Sequence, residues 1–215
     1  MSKDKPGIIE KSSSDTAHTL AKAGLSAVPI FGGAAAEIFQ MLVQPPLERR
    51  RQIWMREVGA RLKTLEDEGF KLEQLQNDER FISTVLHASN LALRTHQEEK
   101  RKALRNAIIN VAKGQSPEEA VEFMFLEYID SLSVLHIKIL RFLQERSPSM
   151  NINIRRNLLG QNIPELVGQE GLYHRFREDL ALKGLIIKNG GRGKLSEHKR
   201  TTWLGDEFLA FISER

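Results

Sequence analysis

Six histidines, His18, His87, His96, His136, His174 and His198, are the side chains best suited to metal binding or proton transfer, and none is spaced for it. A zinc helix presents two imidazoles one turn apart, and no His-x-x-x-His pair occurs. His96-Gln97-Glu98-Glu99 lacks the second imidazole, and its carboxylates are accounted for by helix capping and by a Glu98 to Lys102 pair one turn on. Gly190-Gly191-Arg192-Gly193-Lys194 has the composition of a phosphate loop. It has neither the Gly-x-x-x-x-Gly-Lys-Ser/Thr spacing nor a strand before and a helix after, so it reads as a flexible loop tip. No Gly-x-Ser-x-Gly elbow is present, and scattered Ser, His and Asp residues make no triad without geometry. Absence of cysteine removes thiol nucleophiles, thiolate metal sites and disulfides together. The expectation is a protein that is not an enzyme and uses no metal and no cofactor.

The elements that carry these residues follow from composition and periodicity. With 215 residues, 40% hydrophobic and 28% charged, the chain has length for one large core or two modest ones, and two compact units are expected. The fold class expected is mainly α. A cysteine-free chain fits a reducing cytoplasm. Charge is unevenly spread: 18 basic residues stand against 19 acidic ones before Ser133, and 14 against 9 from there on. A basic excess confined to one end attracts a polyanion to that end. Residues 1–15 are polar, with Ser12-Ser13-Ser14 and no apolar core leading to a cleavage site. They read as a disordered leader rather than a signal peptide.

Residues 16–132 read as an all-helical bundle that oligomerises or binds a protein partner, because apolar residues recur three and four apart and no alternation appears. One helix is expected from about Pro46 to Glu66, started by Pro45-Pro46, with Ile53, Trp54, Val58, Leu62 and Leu65 inward and Arg49, Arg50, Arg51 and Arg56 toward water. A second, near Asp78 to Leu93, is expected to bury Phe81, Ile82, Val85, Leu86 and Leu93 along a stripe that includes Ser89. Thr95-His96-Gln97-Glu98 has the form of a capping box, opening a helix that carries Ala103, Leu104, Ala107, Ile108 and Val111. Ser116-Pro117-Glu118-Glu119 places Ser at an N-cap and Pro at the first helical position, ahead of Val121, Phe125, Leu126 and Ile129.

Residues 133–215 form the second expected unit. Ser133 caps a helix with Leu135, Ile139, Leu140, Phe142 and Leu143, which Ser147-Pro148 stops. Asn162-Ile163-Pro164-Glu165 precedes a short helix, Gly168 permits a tight turn, and a longer helix carries Leu172, Phe176, Leu180 and Leu185 on one face, with Tyr173, His174 and Arg177 toward the other. Gly184 suits the left-handed closing position. Leu185-Ile186-Ile187 is β-prone, Lys199 to Thr202 returns as its partner, and a final helix runs from Trp203 to Ile212. This order resembles bacterial winged-helix proteins of the MarR-like and PadR-like kind, in which a helix ending in Gly-Leu-Ile precedes a wing and a Thr-x-x-Gly helix start. The resemblance implies a recognition helix beginning near Gln169 and offering Gln169, Tyr173, His174 and Arg177 to nucleic acid. It also implies a wing bringing Arg192, Lys194, Lys199 and Arg200 to phosphate or the minor groove. Glu170, Glu178 and Asp179 on the same helix oppose phosphate, so a protein-binding module is the alternative.

One segment belongs to neither reading. Residues 20–43 contain only Lys22 and Glu37 as charges, and the run breaks at Val28-Pro29-Ile30-Phe31-Gly32-Gly33. That interruption argues against a single membrane span and for two short apolar helices. As a hairpin they are either the buried centre of the helical unit or a conditional membrane contact released on activation. The second case loosely resembles bacterial cell-death or phage-defence effectors, with the winged helix as sensor. The leading functional expectation is a non-enzymatic regulatory protein binding nucleic acid, and the membrane-active effector is its alternative.

Overall fold

The computed structural model describes residues 34–145, 159–187 and 200–214. Its first helix, α1 (Ala34–Asp67), runs through Pro45 and Pro46 instead of beginning at them. A proline in a helix interior removes one hydrogen bond and crowds a carbonyl, at about 3 kcal/mol, but its fixed φ is itself helical. The penalty therefore stays local and the expected start at Pro46 is corrected to Ala34.

The chain divides into two compact units, residues 1–48 and 49–215. In the first, the described residues are the leading part of α1, where Ile38, Met41, Leu42 and Leu47 are exposed. In the second, Trp54, Val58 and Leu65 of α1 are buried as the stripe predicts, and the Trp54 indole Nε1 donates to Ser89 Oγ at 2.9 Å. The boundary that the sequence suggests after residue 132 falls inside this unit, whose core holds side chains from both sides of it.

Helix α2 (Glu79–Arg94) is capped by Asp78, whose carboxylate accepts from Phe81 N at 3.0 Å. Its buried face differs from the apolar stripe: Thr84, Ala88, Leu91 and Ala92 join Phe81 inside, while Leu86 is 61% exposed. The cause is polar. Glu122, fully buried on α4 (Glu119–Ser131), accepts from Arg80 Nη2 at 2.6 Å and Arg80 Nε at 2.9 Å, and Thr84 Oγ1 donates to it as well. Turning Arg80 and Thr84 toward this carboxylate carries Leu86 outward.

The same arginine explains a second displaced boundary. Arg80 Nη2 donates to Ser116 Oγ at 2.9 Å and to the Pro117 carbonyl. The hydroxyl expected to cap the helix is thus engaged elsewhere, and α4 starts at Glu119 with Glu118 as its cap residue. The capping box expected at Thr95 is also corrected. Thr95 Oγ1 accepts from Gln97 N at 3.1 Å, and α3 (Glu98–Ala112) begins three residues on, with Glu98 paired to Arg101.

Helix α5 (Val134–Gln144) opens with a capping box between Ser133 and His136. Residues 159–162 are helical, a 3-10 turn covers Pro164–Leu166, and α6 (Glu170–Leu182) and α7 (Trp203–Phe211) follow. The fold is mainly helical, and no strand forms among the described residues. Phe125 of α4 meets Phe208 and Phe211 of α7 with ring centroids 5.3 and 5.7 Å apart. Beside them, Asn106 and Asn110 of α3 reach the end of α7: Asn106 Nδ2 donates to Ile212 O at 3.0 Å, and Asn110 Nδ2 to Phe211 O at 2.8 Å and Ser213 O at 2.9 Å.

Replacing Arg80 with Met strands the Glu122 carboxylate in the core and is expected to destabilise the protein by about 3–5 kcal/mol in urea unfolding. The Arg80→Met/Glu122→Leu double variant is expected to recover part of that loss. Equal losses in the two variants would show that the pair itself is not the organising contact.

Candidate functional site

Helix α6 is the element on which the predicted contacts converge. Gly168, at φ 72°, adopts the left-handed conformation that brings the chain from the 3-10 turn into the helix. Gln169 is the cap residue: its N–H donates to Leu166 O at 3.0 Å, its carbonyl accepts from Tyr173 N, and its exposed side chain makes no capping bond. One turn on, Tyr173 is half-buried, His174 is exposed with its ring centroid 6.0 Å from that of Tyr173, and the Arg177 guanidinium lies 5.8 Å from the Tyr173 ring centre. Tyr173, His174 and Arg177 therefore form one contiguous patch, with Gln169 at its entrance. The Arg177 Nε is buried and has no hydrogen-bond partner among the described residues.

Behind the patch the chain closes tightly. Gly184, also at φ 72°, ends α6, and its carbonyl accepts from Thr202 Oγ1 at 2.6 Å. Thr202 Oγ1 in turn accepts from Gly205 N at 3.0 Å and caps α7, as the Thr-x-x-Gly pattern anticipates. Ile186 and Thr201 form a single antiparallel bridge, flanked by Ile187 N to Arg200 O at 2.9 Å and Thr202 N to Leu185 O at 3.1 Å. The expected wing strands amount to this bridge among the described residues. Gly205 lies so near Leu185 that a Cβ on it would stand 2.1 Å from the Leu185 carbonyl oxygen.

A groove of about 360 Å³ runs between α6 and this bridge, lined by His174, Arg177, Glu178, Ala181, Leu182, Ile186 and Ile187. Leu182 is 79% exposed and Ile187 52%. Of the predicted basic contacts, Arg200 is half-buried and supplies a carbonyl to the bridge. Arg192, Lys194 and Lys199 lie outside the described residues, as do Val28, Pro29, Ile30, Phe31, Gly32 and Gly33 of the apolar hairpin. Among the described residues no helix is long and apolar enough to cross a membrane, and no group of three or more potential ligands is placed to hold a metal ion.

A residue that periodicity does not single out anchors α6 from beneath. His136 of α5 is buried, its ring 4.4 Å from that of Phe176 on α6 and its Nε2 3.5 Å from Asp179 Oδ2. Its Nδ1 accepts from the Ser133 N–H at 3.1 Å and lies 2.8 Å from Ser133 Oγ. The neutral ring thus carries its proton on Nε2, facing Asp179. Ser133, His136 and Asp179 stand in the order of a hydrolytic triad, yet Ser133 Oγ also accepts from the His136 amide at 3.4 Å, which makes the arrangement a helix cap. The signal available in sequence was Ser-x-x-His, in which His replaces the usual Glu.

No protein-family model matches the chain, and neither a curated protein nor a solved structure matches it.

Burial pushes the His136 pKa below its ordinary value, and Lys183 and Lys100 act in the same direction against the opposing pull of Asp179. A depressed native pKa means that the unfolded chain binds the proton first. The His136 contribution is therefore complete above about pH 6.5 and declines as pH falls through the unfolded value toward the native one. His136→Asn is expected to flatten the drop in melting temperature between pH 7.5 and 5.5; an unchanged drop would assign the sensitivity to other groups. Gly205→Ala is expected to cost about 1–3 kcal/mol and to raise hydrogen exchange at the Ile187 amide, because a Cβ there pushes α7 away from Leu185.

Proposed function

We propose that residues 133–214 form a winged helix and that the protein binds nucleic acid, duplex DNA first, in a regulatory role. The order of elements supports this: a helix (α5), a short helical turn, the longer α6, an antiparallel bridge, then α7. The observation that carries the reading is the clasp at the base of a basic segment. Residues 188–200 hold Lys188, Arg192, Lys194, Lys199 and Arg200 against Glu197 alone. The 186–201 bridge and the Ile187 to Arg200 hydrogen bond tie both ends of that segment together beside the groove that His174 and Arg177 line. A cationic loop rooted next to a patch of Tyr, His and Arg is suited to phosphate contacts from the loop and further contacts from the helix.

Charge on α6 sets the division of labour. Glu170 and Glu178 are exposed on this helix and subtract from its attraction for phosphate. In this reading most of the electrostatic affinity comes from the loop, and α6 contributes shape and hydrogen bonds. Protein binding is a second reading, favoured by the exposure of Leu182 and Ile187 at the groove. It is distinguished by the charge-neutral Leu182→Asn, which leaves DNA affinity intact and abolishes capture of a protein partner only if the groove is a protein site.

Binding of the full chain to random duplex DNA across a salt series, with anionic liposomes as competitor, tests the proposal. Wild type is expected to lose affinity steeply as salt rises. Arg192→Glu/Lys194→Glu is expected to weaken binding by tenfold or more, and the loss of two phosphate contacts is expected to lower the salt slope by about two. An unchanged affinity and slope in that variant would overturn the assignment of the loop.

A further inference from the structure

A second cavity of about 360 Å³ lies away from α6, between α3 and α5 and closed at one end by the residues that follow α7. Its walls are two helix faces with the same internal logic. On α3 the lining positions are Glu99, Lys102, Ala103 and Asn106, and on α5 they include Val134, Ile137 and Arg141, each set spaced at three and four residues along one stripe. Ala103, Ile137 and Ile212 are buried and make an apolar floor, while Glu99, Lys102 and Arg141 are exposed at the rim.

The rim charges differ in how they are occupied. Lys138 pairs with Glu165 at 2.6 Å, and Glu214 pairs with Arg61. Glu99, Lys102 and Arg141 form no ion pair with any described residue, although Glu99 and Lys102 stand one turn apart on α3 and Lys102 adds weakly to the pull of Arg61 on Glu214. Asn106 is 5% exposed and its Nδ2 is committed to the Ile212 carbonyl, which fixes the end wall. The result is a pocket of small-molecule size with an apolar floor, two open cations and one open carboxylate.

We propose that this cleft binds a free α-amino acid with an apolar side chain. A simple apolar anion would leave Glu99 repelling it, and an apolar cation would meet Lys102 and Arg141. A zwitterion satisfies both signs: its carboxylate takes Lys102 and Arg141, its ammonium takes Glu99, and its side chain covers Ala103 and Ile137. The site joins α3 to α5, so occupancy ties the middle of the chain to the helix that supports α6 through His136. This inference is independent of whether the protein binds nucleic acid.

Calorimetric titration of the full chain with L-leucine and L-phenylalanine tests the site, with N-acetyl-L-leucine and L-leucinamide as probes that each lack one charge. The free amino acids are expected to bind and to raise the melting temperature, and both blocked forms to bind at least about tenfold more weakly. Arg141→Gln and Glu99→Gln, both on exposed side chains, are expected to weaken leucine binding by a similar factor while the ligand-free melting temperature stays as in wild type. Leucinamide, a cation, is expected to bind Arg141→Gln more tightly than wild type, and N-acetyl-L-leucine, an anion, to bind Glu99→Gln more tightly, because each substitution removes the charge that repels that probe. No heat and no thermal shift with either amino acid would overturn the proposal. So would equal binding of the blocked forms, or wild-type affinity in both variants.

Discussion

Two asparagine side chains hold the end of the last helix, and the geometry of the candidate site descends from that contact. A helix ends with four carbonyls that lack an intrahelical donor, and burying them unpaired is costly. Asn106 and Asn110, one turn apart on α3 and themselves buried, turn their amide N–H groups onto the carbonyls of Ile212, Phe211 and Ser213. With its C-terminus satisfied inside the core, α7 packs Phe208 and Phe211 against Phe125. Its other end then meets Leu185 at Gly205, and Thr201 and Thr202 are held where they clasp Ile186 and Gly184. The floor beside α6 is thus determined from the far end of α7.

Buried polar groups set helix rotation in this protein as much as apolar stripes do. Glu122 draws Arg80 and Thr84 inward and leaves Leu86 in water. Such a pair adds little net stability over a well-packed apolar alternative, but removing one partner is severe, so it selects one rotation of α2 against its neighbours. His136 does the corresponding work between α5 and α6, where its ring packs tilted against Phe176 and its Nε2 faces Asp179. Asp179 also lies 3.3 Å from Arg175, which couples the buried imidazole to the surface of α6.

The exposed face of α6 mixes roles. Tyr173 and Arg177, both half-buried, stand with guanidinium and ring centre 5.8 Å apart beside the exposed His174, whereas the exposed Glu170 and Glu178 dilute the positive charge. Leu182 and Ile187 add an apolar margin beside the clasped ends of the basic segment.

Much of the local chemistry was legible where a signal acts over a few residues, although the equally local cap signals at Thr95 and Ser116 did not form the caps expected of them. The caps at Ser133 and Thr202, the turn at Gly168, the left-handed Gly184, the Trp54 to Leu65 stripe, and the grouping of Tyr173, His174 and Arg177 all follow from short-range spacing. The tertiary structure decided what depends on a partner more than thirty residues away. Arg80 takes Ser116 and Pro117 from the helix start where they seemed to belong, and Asn106 and Asn110 become the cap of a helix a hundred residues downstream. The physical reason is common to these cases. A side-chain donor or acceptor has several local partners of similar strength, and which of them it takes depends on what the folded core leaves unsatisfied.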